Sequence, residues 1–118
     1  GYEIIEIHAA HGYLIHQFFS PLINQRTDQY GGSFDNRIRL ILEIIDEMQS
    51  LITTQSLWIR ISATDWADGG CNLEESKKLA IILQEKGIDV IDVSSGGAVE
   101  HQKKDKKKKK YRGKCVSL

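Results

Sequence analysis

Three imidazoles and a phenol, His8, His11, Tyr13 and His16, fall within nine residues near the start of the chain. Imidazoles three positions apart can share a metal through neutral nitrogens, bind another ligand by hydrogen bonds, or sit in a loop with no ligand at all. A zinc site needs at least three protein ligands, and none with usable spacing follows beyond His16, so no metal is expected. Cys71 and Cys115 lie 44 positions apart. They form neither CxxC nor zinc-finger spacing, so neither a redox pair nor a structural metal site is indicated.

A second set of chemistry-bearing residues interrupts apolar runs. Glu6 stands in Ile-Ile-Glu-Ile-His, Arg60 in Trp-Ile-Arg-Ile-Ser and Asp92 in Val-Ile-Asp-Val-Ser. Strands of a covered parallel sheet normally read as unbroken aliphatic runs, and an unpartnered buried charge costs several kcal/mol. The three charges are therefore expected to neutralise one another or to serve a ligand. Arg60 lies near the C-terminal end of its run, where barrel enzymes place their chemistry.

The elements that hold these residues can be read from periodicity. Residues 2–8 and 57–63 are short, β-branched runs and predict strands, as does Asp89–Ser94. Ser33 is an N-cap candidate before apolar residues at Ile38, Ile41, Ile45, Met48 and Ile52, which predicts a helix over 34–52. Asn72 caps a second helix running to about Lys86, with Leu79, Ile82 and Leu83 inward and Gly87 just past its end. From Ala9 to Gly32 runs a long connection with a helical turn around Leu14–Phe19; connections of that length inside a compact domain usually carry function. In Tyr30-Gly31-Gly32-Ser33 and Asn36-Arg37 we read architecture: a glycine turn, a cap and side chains that tie the loop down.

Strand, helix, strand, helix, strand implies parallel pairing through crossovers, hence an α/β class. At about 30 residues per unit, residues 1–97 amount to roughly three of the eight strands, with two helices, of a (β/α)8 TIM barrel; a doubly wound sheet is the other candidate, but the edge strands it would want are not here. Such a piece leaves both sheet edges and one face uncovered, and an isolated stable fold is not expected. The chain starts at Gly1 rather than at Met, which fits a fragment of something larger.

The 118 residues are 41% apolar with one proline, which excludes collagen-like, disulfide-stapled or wholly disordered classes. No apolar run approaches the roughly 18 residues of a membrane span, and the composition suits a cytoplasmic protein. The zero net charge conceals a division. Residues 1–102 carry seven Lys+Arg against fifteen Asp+Glu, a net of −8, while 103–118 carry nine against one, a net of +8. The acidic body and the basic tail need separate explanations.

The segment His8-Ala9-Ala10-His11-Gly12-Tyr13-Leu14, continued by Gln17-Phe18-Phe19-Ser20-Pro21, Asn24-Gln25-Arg26-Thr27-Asp28-Gln29-Tyr30-Gly31-Gly32-Ser33 and Asn36-Arg37, closely resembles the old yellow enzyme family of NADH:flavin oxidoreductases, in particular its bacterial HxxHxY ene-reductase branch. Arg60-Ile61-Ser62-Ala63 looks like that family's flavin-facing arginine strand, and Asp89–Gly97 like the strand after it. The resemblance implies that His8 and His11 donate hydrogen bonds to the carbonyl oxygen of an enone or quinone-like substrate. Charge develops on that oxygen as hydride arrives, and losing one such donor typically costs about a hundredfold or more. Tyr13 would be the catalytic proton donor to the α-carbon, since a phenol keeps its proton at neutral pH until a basic enolate claims it. Arg60 would bind the FMN cofactor at its pyrimidine edge as a permanent cation. The same histidine pair would hold NAD(P)H in the reductive half-reaction.

The resemblance fades after Gly97. What matches corresponds to the fourth to sixth strands of the family's barrel, so the strands that hold the ring and the loops that grip the phosphate of FMN lie elsewhere, and FMN binding by these residues alone is expected to be weak or absent. Residues 98–118 are expected to be a disordered tail unrelated to the barrel. Its lysine run is read as a frame or splicing artefact or, as an alternative, as a patch for nucleic acid or acidic surfaces through Lys103–Lys114. Two rivals therefore stand beside the ene-reductase reading: a non-enzymatic remnant with a binding tail, and a piece of a larger iron–sulfur flavoenzyme of the same family. A homo-oligomeric parent is compatible with either enzyme reading.

Overall fold

A computed structural model describes residues 1–100 and the backbone of 114–117. Its order is β1 (Ile4–Ala9), α1 (Leu14–Phe19), α2 (Phe34–Leu51), β2 (Ser56–Ser62), α3 (Leu73–Glu85), β3 (Val90–Ser94) and β4 (Lys114–Ser117). Each strand and helix expected from the sequence is present, with ends shifted by one or two residues. The lysine run itself lies outside the described residues.

β1, β2 and β3 pair in parallel, in that order, with His8 opposite Arg60 and Arg60 opposite Asp92. β4 pairs antiparallel with β3 along Val90–Val93. The expectation of two open edges is therefore corrected at β3, where four residues from the end of the chain satisfy the ladder. The far edge of β1 takes no strand among the described residues.

Strict alternation sorts the side chains. Ile7, Ala9, Leu57, Ile59, Ile61 and Ile91 are buried on one face of the sheet, where they form a core with Ile38, Ile41 and Ile45 of α2 and Leu79 and Leu83 of α3. Burying each large aliphatic side chain stabilises the fold by roughly 1.5–3 kcal/mol. Glu6, His8, Trp58, Arg60 and Asp92 occupy alternate positions and face the other way. The charges that seemed misplaced in covered strands thus share one face, opposite the helices.

The helix ends form as the caps require. Ser33 Oγ accepts the Asn36 N–H at 3.3 Å and Asn72 Oδ1 accepts the Glu75 N–H at 3.0 Å. Gly87 follows α3 with φ +85. The Gly31-Gly32 loop is fastened by Asn36, whose Nδ2 donates to the Gly31 carbonyl at 2.9 Å. Buried Arg37 donates to the carbonyls of Gly32 and Phe19 and pairs with Glu75 at 2.5 Å, locking that loop, α1 and α3 together. Among the described residues no helix is long and apolar enough to cross a membrane.

Candidate functional site

β1 ends at Ala9, and the chain turns sharply at His11 (φ +56) and Gly12 (φ +80) before α1 begins. A non-glycine residue in the left-handed region costs about 1–2 kcal/mol and persists only when its surroundings fix it. Here the His11 N–H donates to Ser62 Oγ at 3.0 Å, and the His11 ring Nε2 lies 2.5 Å from Ser94 Oγ. Ser62 Oγ in turn donates to the Gly96 carbonyl at 3.0 Å. The ends of β2 and β3 therefore grip the loop that follows β1.

That turn gathers the sequence-predicted residues. The His8 and His11 rings stand edge to face with centroids 5.5 Å apart, and the Tyr13 ring lies 5.0 Å from His8. Tyr13 is 62% exposed, so its phenol is open to a ligand. Burial, then the neighbouring His8 and Arg60, push the His11 pKa below the ordinary value, with Asp92 opposing. A neutral ring in this position can donate through one nitrogen while the other is held.

Arg60 stands beside His8 in register, on the open face. Its Nε and Nη2 both meet Asp92 Oδ2, at 2.6 and 2.5 Å, and Glu6 Oε1 lies 3.7 Å from Nε. The neutralising network expected from the sequence is thus present, dominated by Asp92. No hydrogen bond among the described residues uses Nη1. A half-exposed cation beside two imidazoles and a phenol is a donor set suited to an electron-rich ring edge, which fits a flavin. Among the described residues no cluster of three or more His, Cys, Asp or Glu could hold a metal.

Sequence reasoning missed Ser62, Ser94 and Asp65, and gave His16 no role. Ser62 and Ser94 pair in register at the strand ends, a signal readable only once the strands are aligned. Wholly buried His16 lies 2.8 Å from wholly buried Asp65 through Nε2 and Oδ1, across 49 residues that no local spacing connects.

Parallel strands with helices on one face and polar side chains converging at the strand ends are the arrangement of a (β/α)8 barrel segment. The model of the NADH:flavin oxidoreductase / NADH oxidase family matches residues 1–114, and the chain belongs to that family. The match continues past residue 97, where the motif-based resemblance stops. An NADPH dehydrogenase of Halalkalibacterium halodurans is 54% identical over 99 residues, covering 84% of this chain and 29% of its own length. A NADH:flavin oxidoreductase of Gibberella zeae is 53% identical over 108 residues, covering 82% and 26%. The structure of morphinone reductase in complex with tetrahydroNAD superposes with a TM-score of 0.65 at 33% identity, covering 75% of this chain and 25% of that one. The chain thus spans under a third of the relatives it matches. Neither the nucleic-acid-binding remnant nor the iron–sulfur flavoenzyme draws support from these likenesses.

Proposed function

We propose that these residues form the substrate-facing part of an FMN-dependent NAD(P)H oxidoreductase that reduces activated carbon–carbon double bonds of small enones. The observation that carries the reading is the convergence of His8, His11 and Tyr13 beside Arg60 at the ends of adjacent parallel strands. His8 and His11 donate hydrogen bonds to the substrate carbonyl oxygen and stabilise its developing charge. Tyr13 delivers a proton to the α-carbon from the exposed side of the pair. Arg60, held in place by Asp92, would hold the cofactor as a permanent cation beside its ring. FMN, when bound, supplies the hydride that it takes from NAD(P)H. The likeness to a morphinone reductase that holds tetrahydroNAD supports a nicotinamide at the same place, and the NAD(P)H demand suits a cytoplasmic setting.

The test is a graft of the matching segment into the Halalkalibacterium halodurans NADPH dehydrogenase, followed by flavin content and NADPH-dependent reduction of cyclohex-2-enone. The graft is expected to retain both. Within it, His8→Ala and His11→Ala should each lower enone turnover by about a hundredfold with flavin content unchanged. Equal loss of flavin and turnover would assign the histidines to the cofactor or the fold and overturn the reading.

A further inference from the structure

His16 and Asp65 take no part in the chemistry just proposed, yet both are wholly buried beneath it. The contacts of His16 fix which nitrogen carries its proton. Its Nδ1 receives the Gly12 backbone N–H at 2.9 Å. A backbone N–H can only donate, so Nδ1 is unprotonated and the ring proton sits on Nε2. Nε2 lies 2.8 Å from Asp65 Oδ1, which as a carboxylate oxygen only accepts. The two requirements agree on one neutral tautomer.

Asp65 is itself fixed. Ser20 Oγ donates to its Oδ2 at 2.7 Å and the Cys71 N–H donates to the same oxygen at 2.8 Å. Burial raises the Asp65 pKa, but the bonds from His16, Ser20 and Cys71 together outweigh it and hold the carboxyl below its ordinary value. A Cβ on Gly70 would lie 2.7 Å from Asp65 Oδ2, so only glycine fits where the backbone passes the carboxylate.

The group that His16 holds is the second residue of the left-handed turn. Gly12 donates its N–H to His16, and its carbonyl accepts from Nε2 of the residue after His16, Gln17, at 2.7 Å. On either side of Gly12 stand the two residues that face the ligand, His11 and Tyr13. We propose that His16 is the positioning residue of this site: held by Asp65 as the Nε2–H tautomer, it takes the Gly12 N–H on Nδ1 and so fixes the turn that presents His11 and Tyr13. The inference rests on the proposed function only for what the presented side chains do. Its test reads the turn itself, so a failure of the flavin reading leaves it standing, and the converse holds.

Two substitutions separate the two contacts. The Oδ1 of an asparagine falls near the place of Nδ1 and can keep the Gly12 bond while losing Asp65. The Nε2 of a glutamine falls near the place of the ring Nε2 and can keep Asp65 while losing Gly12. The experiment uses the graft in the Halalkalibacterium halodurans NADPH dehydrogenase described above, labelled with nitrogen-15, near neutral pH. In the unsubstituted graft, the His16 ring should show the Nε2–H tautomer with an acceptor-type Nδ1. His16→Gln should exchange the Gly12 amide about tenfold faster, the effect of losing one hydrogen bond, and should shift the His11 ring nitrogens away from their Ser94-bound values. His16→Asn should keep the Gly12 exchange within about threefold of the unsubstituted graft and leave the His11 signals in place. An Nδ1–H tautomer at His16, or a His16 ring with the free-imidazole mixture of tautomers, overturns the proposal. Equal Gly12 loss in both variants, or protection kept by glutamine and lost by asparagine, overturns it as well.

Discussion

Arg60 Nε and Nη2 converge on a single oxygen of Asp92, at 2.6 and 2.5 Å, so that the cation of β2 is fixed by the strand beside it. The Asp92 side chain is 16% exposed and that of Arg60 39%, which places the pair between the surface and the interior. A surface pair contributes up to about 1 kcal/mol, and removing one member of a buried pair costs about 3–5 kcal/mol. With solvent screening of the half-exposed guanidinium, Asp92→Ala is expected to lower stability by about 1 kcal/mol, read from the urea midpoint. A change of the same size in Glu6→Ala, whose carboxylate stands 3.7 Å away, would mean that the two acids share the cation equally.

The depressed pKa of His11 makes a pH prediction of definite sign. Burial comes first among its causes, followed by His8, Arg60 and His16, with Asp92 opposing. Because the folded state disfavours the proton, the unfolded chain binds more protons in this window, and the contribution of His11 is full above the ordinary value of 6.5. It is lost as pH falls through the lower, folded value. A ring-proton NMR titration should show His11 with a midpoint below 6.5, moved upward in Arg60→Ala and in His8→Ala. A midpoint at or above the ordinary value would contradict the electrostatics of the site.

Much of this arrangement is legible without coordinates, and the part that is not has a physical reason. Helical spacing at Ile38, Ile41 and Ile45, the Ser33 and Asn72 caps, and the strand runs are local signals, and all of them form as read. Glu6, Arg60 and Asp92 signal a network because charges within aliphatic runs demand partners. Their common face follows from alternation along each strand. The grip of Ser62 and Ser94 on His11 spans 51 and 83 residues, and depends on strand register, which no single strand encodes. Likewise β4 follows a basic run with no aliphatic pattern, and its pairing with β3 joins residues more than 20 positions apart that no local signal connects.

Cys71 is predicted to be inert in the folded chain. It is 2% exposed with its Sγ 3.5 Å from the Phe19 carbonyl. Burial first, then the Asp65 and Glu75 carboxylates, push its pKa far above the ordinary thiol value. The reactive species is the thiolate. Iodoacetamide should therefore leave the peptide containing residue 71 unmodified under native conditions and label it fully in denaturant, as measured by peptide mapping. Rapid native labelling would mean that the Ser20–Asp65–Cys71 region opens.

Gly12 and Gly97 form the tightest backbone approach at the site, and they predict a contrast between two glycines of similar conformation. A Cβ on Gly12 would lie 2.3 Å from the Gly97 carbonyl oxygen, and φ is +80. The obstacle is backbone, on the loop after β3, and cannot swing aside. At Gly32, φ is +86 with nothing within 4 Å of a Cβ. Gly32→Ala bears only the conformational penalty of a left-handed residue, about 1 kcal/mol. Gly12→Ala bears the same penalty and must also separate the two loops, for a total of about 3 kcal/mol or more. It should also displace His11 from Ser94, because the loop that carries Gly97 begins where Ser94 ends β3. Urea midpoints of the two variants, with the His11 ring signals as a local probe, check both claims. Equal destabilisation at the two positions would show that the loops do not meet at Gly12 and Gly97.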